Sequence, residues 1–117
     1  MHVEARTTTP ATLDALLDLP VDAIGLGQEG CAAKLPDSAT LRRAADRIRA
    51  TGRSVTVVLP AAWQRSAETL VTTAVAVAGD GPVTLSVNDI GTLLALAGTV
   101  PEHTTLTAGL SLTQVRV

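Results

Sequence analysis

The chain predicts an α/β fold made of βα units: a partial TIM-type barrel, half of the full ring, with five parallel strands. An open doubly wound parallel sheet is the alternative. Short runs rich in Val, Leu and Ile alternate with longer segments of helical period, and turn residues separate them. The 117 residues suit one domain, with a single core that buries roughly 65% of the surface the unfolded chain exposes.

Five strands are expected, at Val3–Thr8, Val21–Leu26, Ser54–Leu59, Val83–Val87 and Thr105–Leu110. Four helices are expected between them. Thr12–Leu19 follows Pro10, a residue suited to a first helical turn. Ser38–Thr51 opens behind Asp37 and stops at Gly52, the left-handed position beyond a helix end. Trp63–Ala78 takes Ser66 as its cap, and Asp89–Ala97 is capped by Asn88 and ended by Gly98. In the second helix Leu41, Ala44, Ala45 and Ile48 share one face, while Arg42, Arg43, Asp46, Arg47 and Arg49 are expected to point outward.

Composition narrows the partners. Nine Lys and Arg against eleven Asp and Glu give a net charge of −2, which leaves no basic stripe for nucleic acid. No uncharged apolar run nears the ~20 residues that cross a bilayer, so no membrane partner is expected. The opening Met1-His-Val-Glu-Ala-Arg lacks the hydrophobic segment of a signal peptide, and a cytoplasmic location is expected. One cysteine forms no internal disulfide, which agrees with a reducing compartment. Trp63 is the only aromatic residue, so the core is aliphatic.

Right-handed crossovers gather the loops at the carboxyl ends of parallel strands on one face, where the chemistry of such folds resides. On that face the sequence puts Thr7–Thr9, Gln28–Lys34, Trp63–Arg65, Asn88 with Asp89, and Ser111–Gln114. His2 and His103 precede strands and belong to the opposite face, which disfavours Ser-His and Cys-His nucleophile schemes.

Val21 to Pro36 is the most informative stretch, an apolar strand running into a Gly-rich loop that holds Glu29, Cys31 and Lys34. It spells Gly25-x-Gly27-x-x-Gly30, yet Pro36 and Asp37 interrupt any helix begun at Gly30, and the next strand ends Val58-Leu59-Pro60 without a carboxylate. A dinucleotide fingerprint needs both features. Cys31 reads either as a small packed thiol or as a reactive one, with Lys34 three residues on to favour thiolate. Zinc and iron-sulfur sites take three or four ligands, so Cys31 holds a metal only with ligands from a partner. Trp63 reads as a packing residue at a helix entrance, or as one lining a pocket. Asn88 and Asp89 read first as cap and first-turn acid, and second as site residues. No residue is assigned as catalytic.

Asp22-Ala-Ile-Gly-Leu-Gly, Cys31 with Lys34, the basic amphipathic helix, Gly52-Arg-Ser-Val-Thr-Val-Val-Leu and Ser86-Val-Asn-Asp-Ile-Gly91 resemble the amino-terminal half of the collagenase-like peptidase family, family U-thirty-two. The resemblance covers roughly residues 3 to 112. It is nearest to the oxygen-independent ubiquinone-biosynthesis accessory subgroup, whose loop reads Leu-Gly-Glu, two residues, then Cys-Ser-Lys. What it implies is a barrel fold and a cysteine, matching Cys31, that is one of four ligands of a 4Fe-4S cluster. The other three ligands come from the carboxyl-terminal half in that subgroup. For this chain the resemblance therefore implies no cofactor held alone, a homodimer or a complex with a longer family member, and a role in redox or oxygen-independent hydroxylation chemistry. A peptidase, as the family name has it, and a non-catalytic binding or remnant module are the alternatives. A half-barrel is also expected to leave both edge strands unpaired and a concave aliphatic face toward water.

Overall fold

Alternation within the strands decides which side of the sheet meets the helices. The computed structural model describes residues 2–7, 10–27, 37–60 and 67–108. Among them are strands β1 (Glu4–Thr7), β2 (Ala23–Gly27), β3 (Ser54–Leu59), β4 (Val83–Val87) and β5 (Thr104–Ala108), with helices α1 (Leu13–Leu17), α2 (Ser38–Ala50), α3 (Ala67–Gly79) and α4 (Ile90–Ala97) between them. A 3-10 turn at Pro10–Thr12 leads into α1, which is shorter than the expected Thr12–Leu19. All five strands lie in one parallel sheet in the order β1-β2-β3-β4-β5.

The buried cluster draws Ile24 and Leu26 from β2, Val55, Val57 and Leu59 from β3, and Val83, Leu85 and Val87 from β4. These are alternate residues, in register across the sheet. Leu13 of α1, four apolar residues of α2 (Leu41, Ala44, Ala45, Ile48), Ala74, Val77 and Ala78 of α3, and Leu96 of α4 pack on that same side. The helices therefore share one face of the sheet, as consecutive right-handed crossovers in a constant direction require.

The other face corrects the expectation of an aliphatic concave side. It carries Glu4 and Arg6 from β1, Ala23, Gly25 and Gly27 from β2, Ser54, Thr56 and Val58 from β3, Thr84 and Ser86 from β4, and Thr105 and Thr107 from β5. Apart from Val58, the Val and Leu residues of the strands face the helix side. Beyond Val58 and the Glu4–Arg6 pair, the alternate positions are small or hydroxylic.

Two helix starts show how the local sequence fixes the ends. Asp37 is the N-cap of α2, its carboxylate accepting from the Thr40 amide at 2.8 Å. Past the other end of α2, Gly52 takes φ +80, a left-handed conformation that glycine adopts without a Cβ penalty. The cap of α4 is Asp89 rather than the expected Asn88: Asp89 accepts from the Thr92 amide at 2.7 Å and the Thr92 hydroxyl at 2.8 Å. Thr92 is the third helical residue after Asp89, the position an N-cap carboxylate reaches. The cap expected at Ser66 lies outside the described residues.

Arginines tie the amino end of the sheet to the helix ends. Arg53 donates to the carbonyls of Leu17, Leu19 and Val21, where α1 ends and the chain enters β2. Arg49 donates to the Pro82, Gly81 and Val77 carbonyls beyond and within the last turn of α3. Arg49 was expected to point outward, but its side chain is only 16% exposed. The last turn of α2 lies beside unsatisfied α3 carbonyls, and a guanidinium supplies the donors and charge that a helix C-terminus lacks. His103 Nε2 adds a bond to the Ala78 carbonyl at 2.7 Å. On the outside, Arg42 grips Asp80 with a two-bond fork at 2.6 and 2.8 Å, and Arg47 pairs with Asp14.

Hydrogen bonding from the Thr40 amide holds the Asp37 carboxyl below its ordinary value, and the Arg42 fork does the same for Asp80. A carboxyl whose folded pKa is lowered stabilises the fold above its unfolded pKa of about 3.9, and loses that contribution as pH falls through the folded value. Urea midpoints are therefore expected to drop between about pH 5 and about pH 2, and Asp80→Asn should flatten part of that drop. Asp89→Ala should cost about 1 kcal/mol at neutral pH, read from the same urea curves.

Candidate functional site

Building from β2 outward, Gly25 creates the first feature of the polar face. A Cβ at Gly25 would stand 2.7 Å from Arg6 Cγ, so the Arg6 stem lies directly across the β2 backbone. Arg6 Nε then donates to Glu4 Oε2 at 2.7 Å, and Thr56 Oγ1 donates to the other Glu4 oxygen at 2.6 Å. One network thus spans β1 to β3, passing over a strand whose residues on this face are Ala23, Gly25 and Gly27. Thr56 is 6% exposed and Ser86, in the next row, 4%. Charge assistance makes the Thr56–Glu4 bond stronger than one between neutral groups. The Arg6–Glu4 pair is half open to water, so its net contribution is small.

This arrangement gives Gly25 a packing role within the sheet. Both glycines lie within β2 and are buried, and Gly25 serves the close approach of Arg6. Neither opens a helix.

At the carboxyl end of the sheet, Asn88 extends the polar-face row of Thr84 and Ser86. Its Nδ2 donates to the Leu59 carbonyl at 2.9 Å, and the residue is 5% exposed. It clamps the end of β4 to the end of β3. Asp89, one residue on, is committed to the α4 cap. Thr7 ends β1 and shares a hydroxyl–hydroxyl bond with Thr12. The other residues singled out by sequence, Glu29, Cys31, Lys34 and Trp63, lie outside the described residues, as do Thr8, Thr9 and Ser111–Gln114.

Of the expected site residues, then, Asn88 and Asp89 are adjacent at the carboxyl end, each with a structural bond. The residues that sequence reasoning passed over are Glu4, Arg6 and Thr56. A signal for part of this was present: Ser54-Val-Thr56-Val-Val58-Leu and Val83-Thr84-Leu85-Ser86-Val87 alternate polar with apolar, the mark of a strand with one non-core face. His2 and His103 both stand just before strands, at the amino end, as expected. Among the described residues no group of three or more His, Cys, Asp or Glu is placed to hold a metal ion, and no helix is long and apolar enough to cross a membrane. On the described polar face Thr56 and Ser86 are buried and Glu4 is engaged by Arg6 and Thr56, so the groups open to solvent are Arg6, Ser54, Thr105 and Thr107.

No protein-family model, curated protein or solved structure matches this chain.

The close approach at Gly25 is open to test. Gly25→Ala should destabilise the fold by about 1–3 kcal/mol by pushing the Arg6 stem off β2, and in an Arg6→Ala background the same change should cost clearly less. Equal costs in both backgrounds, measured by chemical denaturation, would separate Gly25 from Arg6.

Proposed function

We propose that this chain is a barrel-segment component of the collagenase-like peptidase type, joining a second chain along its edge strands and contributing Cys31 to a shared redox or oxygen-independent hydroxylation site. The observation that carries this reading is the division of the sheet into a packed helix side and a polar side. A (βα)8 interior is ordinarily filled by Val, Ile and Leu layers, whereas hydroxyls, glycines and an Arg6–Glu4 pair suit the wall of a ligand-lined cleft. Among the described residues β1 and β5 each pair on one side only, which leaves backbone donors and acceptors for a partner strand.

The 4Fe-4S cluster implied by the resemblance does not fit this chain alone. Such a cluster takes four ligands, the sequence has one cysteine, and the described residues provide no ligand group. Its place in the proposal is therefore at the junction with the partner, and no chemical step is assigned to it. The chain's own part is to contribute Cys31, which follows β2 in sequence, and the polar face of the sheet.

A non-catalytic binding module is the second reading. It is favoured by the commitment of Asn88 and Asp89 to structural bonds and by the position of both histidines at the amino end.

Protein purified without air, together with any chain that accompanies it, separates the two. The proposal expects a dimer or heteromer in light scattering at tens of micromolar, carrying iron and sulfide that Cys31→Ser removes without lowering the melting temperature. A monodisperse monomer free of iron would leave the binding-module reading in its place.

A further inference from the structure

At the amino end of the sheet lies an open cavity of about 460 Å³ whose lining includes Arg49, Arg53, Ser54, Thr84, His103 and Thr105. We infer that it binds the phosphoryl group of a small molecule. The chemistry of the lining carries the argument. Arg53 spends Nε on the Val21 carbonyl and Nη2 on the Leu17 and Leu19 carbonyls. A guanidinium has five N–H donors, so the pair on Nη1 is left for a ligand. The partners of Arg53 are neutral carbonyls, so its charge is not cancelled by a carboxylate. Arg49 likewise bonds mainly to carbonyls, with Asp46 as its single carboxylate partner at 3.2 Å. Two guanidiniums thus line the cavity, and the one carboxylate paired with either of them, Asp46, is not among the lining residues and has a side chain 63% exposed.

The hydroxyls supply the other half of the site. Thr84 and Thr105 are registered neighbours on β4 and β5, and Ser54 starts β3 on the same face. None of the three hydroxyls has a hydrogen-bond partner among the described residues, although other hydroxyls nearby do: Thr51 donates to Ile48 and Thr56 to Glu4. Hydroxyl donors from three strands beside a guanidinium with free N–H groups match a multi-oxygen anion, for which arginine is the preferred cation. The volume lies within the range of small-molecule sites and exceeds what phosphate alone would occupy. A phosphorylated small molecule is thus the better match in size. Its phosphoryl group would take the Arg53 and hydroxyl donors.

Inorganic phosphate is the probe, titrated at constant ionic strength and followed by amide chemical shifts, with acetate in a parallel series. The expected result is saturable shifts at residues 53–55, 83–84 and 103–105, stronger for phosphate than for acetate. Thr84→Val and Thr105→Val should each weaken phosphate by about tenfold, the loss of one charge-assisted hydrogen bond. These variants keep the test valid where Arg53→Ala would also release the end of α1. Absence of saturable shifts, equal response to acetate, or unchanged affinity in the Thr84→Val/Thr105→Val protein would overturn the inference.

Discussion

The constraint on which the rest depends is that every strand-to-strand crossover runs in the same direction. Five strands in the order β1-β2-β3-β4-β5, joined by right-handed connections, place the helices on one side of the sheet. A sheet covered by helices on both sides is apolar on both faces. Here only the helix side needs to be, and the strands answer with alternation. Ile24, Val55, Leu85 and their row-mates form the core, while Gly25, Thr56, Thr84 and Ser86 look the other way. The polar network of Arg6, Glu4 and Thr56 exists because β2 carries small residues on that face and lets side chains from β1 cross it.

The same geometry explains where the arginines go. Helix C-termini gather at the amino end of the sheet, exposing carbonyls with partial negative charge. Arg49 and Arg53, at the end of α2 and just before β3, are spaced to reach two different helix ends. Positive charge in this chain is thus partly structural, holding helices to the sheet, and partly solvated, as in the Arg42–Asp80 and Arg47–Asp14 pairs.

The strands and the two long helices were legible in the sequence because each depends on a local signal: β-branched runs between turn residues, the Leu41–Ala44–Ala45–Ile48 stripe, the Asp37 cap and the Gly52 stop. The bounds of β3 and β4 agree residue for residue with those expected. The α4 cap was displaced by one because Asn88 and Asp89 are both good cap residues, and local sequence does not say which one turns its backbone into the extended conformation. Tertiary geometry chose: Asn88 is drawn into the polar-face row and onto the Leu59 carbonyl, which leaves Asp89 to cap. Arg49 was misassigned for a similar reason, since helical period places it outward and only the neighbouring end of α3 turns it inward. The Glu4–Thr56 bond joins residues 52 apart in sequence and carries no local signal at all. Glu29, Cys31 and Lys34, on which the sequence placed most weight, lie outside the described residues.

The central claim is that the sheet has a distinct polar face, on which β1 and β3 meet across β2. A double-mutant cycle with Glu4→Ala and Thr56→Val tests it directly, because these residues touch only if strand order, register and facing are all as described. The account predicts that the two changes couple by about 1 kcal/mol in urea unfolding, within the range for residues sharing a hydrogen bond. Strict additivity, within about 0.3 kcal/mol as for distant sites, would contradict it.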